Sequence, residues 1–234
     1  MKLFRIFLEL LFPQHCPVCD CVLPLGEKIC PDCRLRLKAV QEPYCRKCGK
    51  ELSCDTQEYC EDCMKQKHLF DEGRALYEYP CIRMSIAAFK YKGRQEYAEF
   101  YAQEIEKYLG ETIRRWQPQA LIPVPLHPSR MRARGYNQAF LLAKELGERM
   151  GIPVAANMIK RVKRTAPQKA LNRQMRQNNL KRAFKIGRND VKLSTIIIID
   201  DIYTTGSTMD AMAAVLREAG IRRIYFIALA IGRG

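Results

Sequence analysis

The sequence predicts an α/β domain built on a parallel sheet, preceded by a small module organised by metal. Three observations carry that prediction. Four Cys-x-x-Cys pairs crowd the first quarter of the 234 residues: Cys16/Cys19, Cys30/Cys33, Cys45/Cys48 and Cys60/Cys63. Downstream, short runs apolar on both faces alternate with amphipathic helical patterns, as in a sheet covered by helices. The length also suits one α/β domain of ordinary size plus a small module.

In chain order, residues 1–15 form an apolar arm. Its MKLFRIFLELLF run has a faint signal-peptide look. Glu9 interrupts the run and no small-residue cleavage site follows, so the reading is a short amphipathic helix packed on its own protein. Residues 16–63 hold the cysteine pairs among turn-formers such as Pro24, Gly26, Pro43 and Gly49. Residues 64–75 read as a polar connector, and the boundary between modules is set at 70/71: residues 1–70 carry the arm and the metal module, residues 71–234 the α/β domain. Leu76 to Tyr79 alternates like a strand. Ala98, Tyr101, Ile105 and Tyr108 repeat at helical spacing from Tyr97 to Leu109, with Gly110 as the expected stop. Ala120 to Val124 reads as a short buried strand. Ala139, Leu142, Ala143, Leu146 and Met150 make an amphipathic helix ended by Gly151. Thr195–Ile199 reads as a strand, Met209–Ala219 as a helix and Ile224–Ile231 as another strand. No stretch approaches the roughly 18–20 apolar residues of a membrane-spanning helix, so no membrane insertion is expected.

Eleven cysteines suit either a secreted disulfide framework or metal ligands. Eight of them in Cys-x-x-Cys pairs, a long Cys-poor region behind them and the lack of a convincing export signal favour metal, in a cytoplasm that keeps thiols reduced. Each Cys-x-x-Cys turn supplies two thiolates, and two turns close one tetrahedral Zn2+ site. The simplest pairing is tandem: Cys16, Cys19, Cys30 and Cys33 in one zinc ribbon, Cys45, Cys48, Cys60 and Cys63 in a second. A cross-braced pairing also satisfies the spacing. Four thiolates leave no open position, so the two zinc ions are read as structural and as the main folding energy of the module.

The net charge is +15, and it is uneven. From Arg114 to Arg188 there are 18 Lys and Arg against Glu145 and Glu148 only, which is +16 in one segment. Such a block suits a solvated face, a site for a small polyanion or a nucleic-acid surface.

The sharpest chemical pattern is Ile196 to Thr208, Ile-Ile-Ile-Ile-Asp-Asp-Ile-Tyr-Thr-Thr-Gly-Ser-Thr. A buried strand ends in two carboxylates, and a loop of small hydroxyl residues leads into a helix. Thr204, Thr205, Gly206, Ser207 and Thr208 let backbone N–H groups converge on an anion at a helix N-terminus. The pattern is no Walker loop, because the Gly-Lys-Ser/Thr ending is missing. Carboxylates repel phosphate, so Asp200 and Asp201 must face something else: sugar hydroxyls, alone or with Mg2+. Two further segments are basic. In Ile122 to Gln138, a Pro-Val-Pro turn precedes Arg130, Arg132 and Arg134, which can neutralise a diphosphate. His127 there reads either as a capping residue or as part of the site. In Arg161 to Leu180, a helix after Pro167 would place Lys169, Arg173 and Arg176 on one face.

The acid pair and the loop after it closely resemble the phosphoribosyl pyrophosphate motif of type I phosphoribosyltransferases. That resemblance implies that Asp200 and Asp201 hold the ribose hydroxyls, that Tyr203 to Thr208 hold the 5′-phosphate, and that His127, Arg130, Arg134 and Arg164 serve the pyrophosphate with Mg2+. It also implies a mobile loop near Arg161 to Leu180 that closes on the leaving group. Taken in order, LLFPQHCPVC, FKYKGR (Phe89 to Arg94), PVPLHPSRMRARGYNQ, RTAPQKALNRQMRQNN and IIIIDDIYTTGST resemble one subgroup, the ComF competence family. Its members join a cysteine-rich zinc module to a phosphoribosyltransferase domain. The resemblance covers nearly the whole chain and implies a part in DNA uptake during natural transformation, on the cytoplasmic side, with a helicase-like ATPase as partner.

Three functions follow as expectations. The first is handling of single-stranded DNA by a protein that keeps a phosphoribosyl pyrophosphate site. Here Lys90, Lys92, Arg94, Lys169, Arg173 and Arg176 meet the strand and aromatics such as Tyr91 and Tyr136 stack on bases. The second is a salvage phosphoribosyltransferase, with Asp200 and Asp201 as catalytic residues orienting the sugar while pyrophosphate leaves. No nucleobase pocket is recognisable in the sequence. The third is a ligand sensor that binds without turnover and signals through the zinc module.

Overall fold

The computed structural model describes residues 13–162, 183–187 and 193–232. Four parallel strands form the sheet: β1 (Glu72–Glu78), β2 (Ala120–Pro123), β5 (Thr195–Tyr203) and β6 (Arg223–Ile231), in the order β1-β6-β5-β2. A separate antiparallel pair, β3 (Ile159–Arg161) and β4 (Phe184–Ile186), stands beside it. The helices are α1 (Pro31–Arg36), α2 (Glu61–Lys65), α3 (Tyr79–Tyr91), α4 (Tyr97–Trp116), α5 (Pro128–Arg134), α6 (Gln138–Met150) and α7 (Ser207–Glu218).

Strand β5 is central and apolar on both faces because each face has its own core. Ile197 and Ile199 point to one side, with Tyr77, Phe89, Tyr101, Ile105 and Leu142. Ile196 and Ile198 point to the other, with Phe70, Ile122, Met212, Leu216 and Phe226. This period-2 split is why the strand reads as an unbroken isoleucine run.

The cysteine module belongs to both cores. Cys16, Leu23, Ile29, Cys33 and Leu37 of the first ribbon join the Ile197 side. Cys45, Cys48, Leu52 and Cys60 of the second join the Ile198 side. The link between the ribbons crosses the β1 edge, where Ala39 bridges Tyr77 and the Val40 amide donates to the Leu76 carbonyl at 2.9 Å. That crossing covers a sheet edge that would otherwise lie open.

Four elements differ from the sequence expectation. The strand read from Leu76 to Tyr79 runs instead from Glu72 to Glu78, and Tyr79 opens α3. Helix α4 does not stop at Gly110; it runs to Trp116 and ends at Gln117, whose φ is 48°. Gly110 costs about 1 kcal/mol relative to alanine, and burial of Ile113 and Trp116 in the next turns outweighs it. Strand β5 does not stop before the acids, because ladder pairs continue to Ile202 with Ala230 and Tyr203 with Ile231. The connector after the cysteines is not merely polar: Phe70 is 1% exposed and sits in the core.

Candidate functional site

The sulfurs of Cys16, Cys19, Cys30 and Cys33 lie within 4.8 Å of one another, and so do those of Cys45, Cys48, Cys60 and Cys63. The pairing is therefore tandem. Cys16–Cys30, Cys19–Cys30 and Cys48–Cys60 sulfur separations are each 3.7 Å. A tetrahedron with Zn–S bonds of about 2.3 Å has edges of about 3.8 Å, so both tetrads fit Zn2+. Each tetrad suits a closed zinc site with four thiolate ligands. Each ribbon turns on a short helix, α1 or α2, that starts immediately after the first cysteine of the second pair.

The second centre lies where the carboxyl ends of β5 and β2 meet, the edge at which open parallel sheets receive ligands. A cavity of about 350 Å³ opens there, lined by Asp200, Asp201 and the loop from Thr204 to Thr208. Because the acids lie on a strand, their side chains leave on opposite faces. Asp201 turns toward α3 and meets Lys90 Nζ at 2.8 Å. Asp200 turns to the other face and accepts the Asp201 amide at 2.8 Å. Burial, with the neighbouring Asp201 charge next, pushes the Asp200 carboxyl up to about 7. Arg161 on β3 lines the same cavity and stacks 5.4 Å from the Phe184 ring; burial, then the nearby Arg130, lowers its pKa.

The Tyr136-Asn137-Gln138 stretch explains how Lys90 is aimed. Tyr136 Oη donates to the Phe89 carbonyl at 2.6 Å and Gln138 Nε2 to the same oxygen at 3.5 Å. Asn137 caps α6 through the Ala139 amide and holds the Val124 carbonyl at 3.0 Å. One turn of sequence thus ties the end of α3 to the loop after β2, and both walls of the cavity are fixed together. Arg134 donates to Gln138 Oε1 at 2.9 Å and lies over the Tyr91 ring, 4.9 Å from its centre.

The loop between Tyr203 and α7 is supported from beneath by the end of the metal module. Gly206 has φ 74°, where an L side chain is strained. A Cβ there would also lie 2.7 Å from His68 Cε1 and 2.8 Å from Tyr203 Oη. His68, its side chain 1% exposed, sits 2.8 Å from Asp210 Oδ2 through Nδ1 and stacks on Phe70. Asp210, in the first turn of α7, also accepts the Leu69 amide at 2.8 Å. The loop thus runs into the N-terminus of α7, where Gly206 supplies no side-chain cap and the Thr205 and Ser207 hydroxyls lie 2.8 Å apart.

The structure brings Asp200, Asp201, Thr204, Thr205, Gly206, Ser207, Thr208, Arg130 and Arg134 to one cavity. Tyr203 lines it too, but its ring is buried against Phe226, with centroids 4.7 Å apart. His127 caps α5, accepting the Ser129 amide at 3.2 Å, and lines a neighbouring cavity instead. Lys90, placed on a strand-binding face by the sequence, lines the acid cavity. Lys92 and Arg94 both reach Asp20 of the first ribbon at 2.8 Å. Arg164, Lys169, Arg173 and Arg176 lie outside the described residues, as do residues 1–12 of the N-terminal arm. Sequence reasoning missed Arg161, Asn137, Gln138, His68 and Asp210 as parts or supports of the site. Asp210 had a signal in its place in the first helical turn after the loop; His68 had none.

Comparison with known proteins gives two domain matches. Residues 7–64 match the double zinc ribbon domain and residues 136–233 the phosphoribosyl transferase domain. The chain is 41% identical over 115 residues to Competence protein F of Haemophilus influenzae, covering 48% of this chain and 50% of that protein. It is 29% identical over 208 residues to Competence protein ComFC of Bacillus subtilis, covering 85% and 82%. To the DNA utilization protein YhgH of Escherichia coli K12 it is 34% identical over 103 residues, covering 44% and 45%. With the Haemophilus and Escherichia proteins the match spans about half of their length.

Proposed function

The chain belongs to the ComF family, which joins a double zinc ribbon to a phosphoribosyl transferase domain, and from that premise we propose that it binds phosphoribosyl pyrophosphate with Mg2+ and acts in handling single-stranded DNA during natural transformation. The observation that carries the ligand reading is the opposed pair at the end of β5. Two carboxylates line the same 350 Å³ cavity as the Thr204–Thr208 loop at the N-terminus of α7. Acids beside an anion cradle suit one molecule that has both hydroxyls and phosphate. Arg130, Arg134 and Arg161 supply the positive wall that a diphosphate needs. Mg2+ bound to the diphosphate would bring the hard cation that such a ligand carries.

The DNA reading is supported by the names of the relatives and by the +16 segment from Arg114 to Arg188. Eighteen cations exceed what one small ligand neutralises. Thiolate zinc sites suit the reducing cytoplasm, and no helix among the described residues is long and apolar enough to cross a membrane. A helicase-like ATPase is the partner that the family resemblance implies.

Calorimetric titration of zinc-loaded protein with phosphoribosyl pyrophosphate and Mg2+ tests the ligand reading, with Asp200→Asn/Asp201→Asn alongside. Binding in the wild type and none in the folded double variant is the expected result. Equal binding in both, or none in the wild type, rejects it. Pyrophosphate release in the presence of one nucleobase would make the protein a transferase.

A further inference from the structure

A second cavity adjoins the sugar-phosphate pocket and has no part in the reading above. Its volume is about 540 Å³, and it runs between α5, the start of α6 and β3. Leu126, Asn137 and Arg161 line both cavities, so the two share a wall. Met131, Phe140 and Val162 stand along it, exposed at 44%, 37% and 46%. Among the described residues that line it there is no Asp or Glu, whereas Lys160 and Arg161 are there.

Charge says what kind of molecule covers these apolar side chains. Lys160 lies directly opposite Lys185 across the β3–β4 pair, and both are exposed. Directly opposed residues of antiparallel strands project on one face, and like charges there oppose pairing. A two-stranded pair of three residues each has little stability to spare, yet neither lysine has a carboxylate partner among the described residues. A polyanion across the two ammonium groups turns that repulsion into attraction. A second copy of the same basic groove would add to it.

We infer that this groove is the face that receives single-stranded nucleic acid, bases on Phe140 and Met131 and backbone over Lys160 and Lys185. The inference rests on the nucleic-acid reading and adds the surface to it. An exposed aromatic ring beside cations accepts any unpaired base by stacking, whereas a duplex hides its bases from such a ring. Lys90, Lys92 and Arg94 are already paired with Asp201 and Asp20, which favours the groove over them as the nucleic-acid face.

Fluorescence anisotropy of a labelled thymidine oligonucleotide, titrated with full-length zinc-loaded protein over a salt series, tests this. Phe140→Ala should weaken binding about tenfold, the loss of one stacked base. Lys160→Glu/Lys185→Glu should weaken it further and flatten the salt slope by roughly 1–2. Zinc content and melting temperature serve as the fold controls, since all three side chains are exposed. Wild-type binding that none of the variants alters would overturn the groove and leave the nucleic-acid reading standing. No wild-type binding would overturn both. A wild-type dimer that Phe140→Ala splits, with oligonucleotide affinity unchanged, would make the groove a contact between copies and overturn the inference.

Discussion

Lys90 Nζ lies 2.8 Å from Asp201 Oδ2, and both side chains are largely withdrawn from solvent at 16% and 13% exposure. One of the two acids is therefore already neutralised before a ligand arrives, while its neighbour Asp200 is held as a weak acid near 7. Lys90 is also among the charges that draw the Asp200 pKa down, against the larger pull of burial. Lys90→Met should then move the Asp200 titration higher. The pH at which phosphoribosyl pyrophosphate binding is half developed should rise with it. Calorimetry from pH 5.5 to 9 checks this; an unmoved midpoint would show that Lys90 does not influence the ionisation of Asp200.

The raised Asp200 pKa has a second consequence with a definite sign. An aspartate ordinarily titrates near 3.8, and here it titrates near 7 in the folded chain. Between those values the native state holds a proton that the unfolded chain has lost, so stability falls as pH rises from about 4 to 7. The cost above pH 7 is on the order of a few kcal/mol. Asp200→Asn removes the ionisation and should raise the melting temperature at pH 8 while changing it little at pH 4. The same substitution should abolish sugar binding. An equal melting shift at both pH values would show that ionisation of Asp200 is not what destabilises the site.

What was legible in the sequence follows contiguity along the chain. The loop from Thr204 to Thr208 and the acid pair were readable because their chemistry needs contiguous residues. The eight zinc ligands were readable for the same reason, and only their pairing needed the fold. Lys90 and Arg161 were not readable as parts of the cavity, since α3 and β3 bring them there from segments whose local pattern says only that they are basic. Lys92 and Arg94 looked free for DNA because Asp20, their partner, is more than seventy residues away. The isoleucine run gave the sheet; nothing in it showed that each ribbon would enter a different core.

The first ribbon is bound to α4 too closely to act as an independent module. Tyr97 Oη lies 3.0 Å from the Cys16 carbonyl and 2.8 Å from Asp20 Oδ1, and Tyr101 Oη donates to the Pro17 carbonyl at 3.1 Å. Cys16 itself is fully buried in the core that holds Ile197 and Ile199. Cys16→Ser should therefore lose one of two zinc ions and also lower the melting temperature of the whole chain. Tyr97→Phe should cost roughly 1 kcal/mol, because one hydroxyl proton serves the Cys16 carbonyl and the Asp20 carboxylate, and these keep the Asp20 amide and the Lys92 and Arg94 side chains as donors. Zinc assay with differential scanning calorimetry decides the matter. A separate low-temperature transition, with the α/β transition unmoved, would show that the ribbon unfolds alone.

The second ribbon bears on the phosphate loop through His68 and Asp210. Lys47, between Cys45 and Cys48, stacks 5.2 Å from the Phe70 ring and donates to the Phe70 carbonyl. Phe70 stacks on His68, and His68 lies directly under Gly206. Asp210→Ala would release both His68 Nδ1 and the Leu69 amide, and the loop would lose the surface it rests on. It should weaken ribose 5-phosphate binding about tenfold while leaving the pH midpoint set by Asp200 in place. Gly206→Ala should do more, since it adds a Cβ within 2.7 Å of His68 at a φ of 74°. It is expected to cost at least 1 kcal/mol of stability and to eliminate phosphate binding. Removal of zinc from the second tetrad alone, by Cys60→Ser, should act like Asp210→Ala on the loop, whereas Cys19→Ser in the first should not. Titration of ribose 5-phosphate against the four variants separates these outcomes, and equal loss from both cysteine variants would mean that zinc acts through global stability rather than through His68.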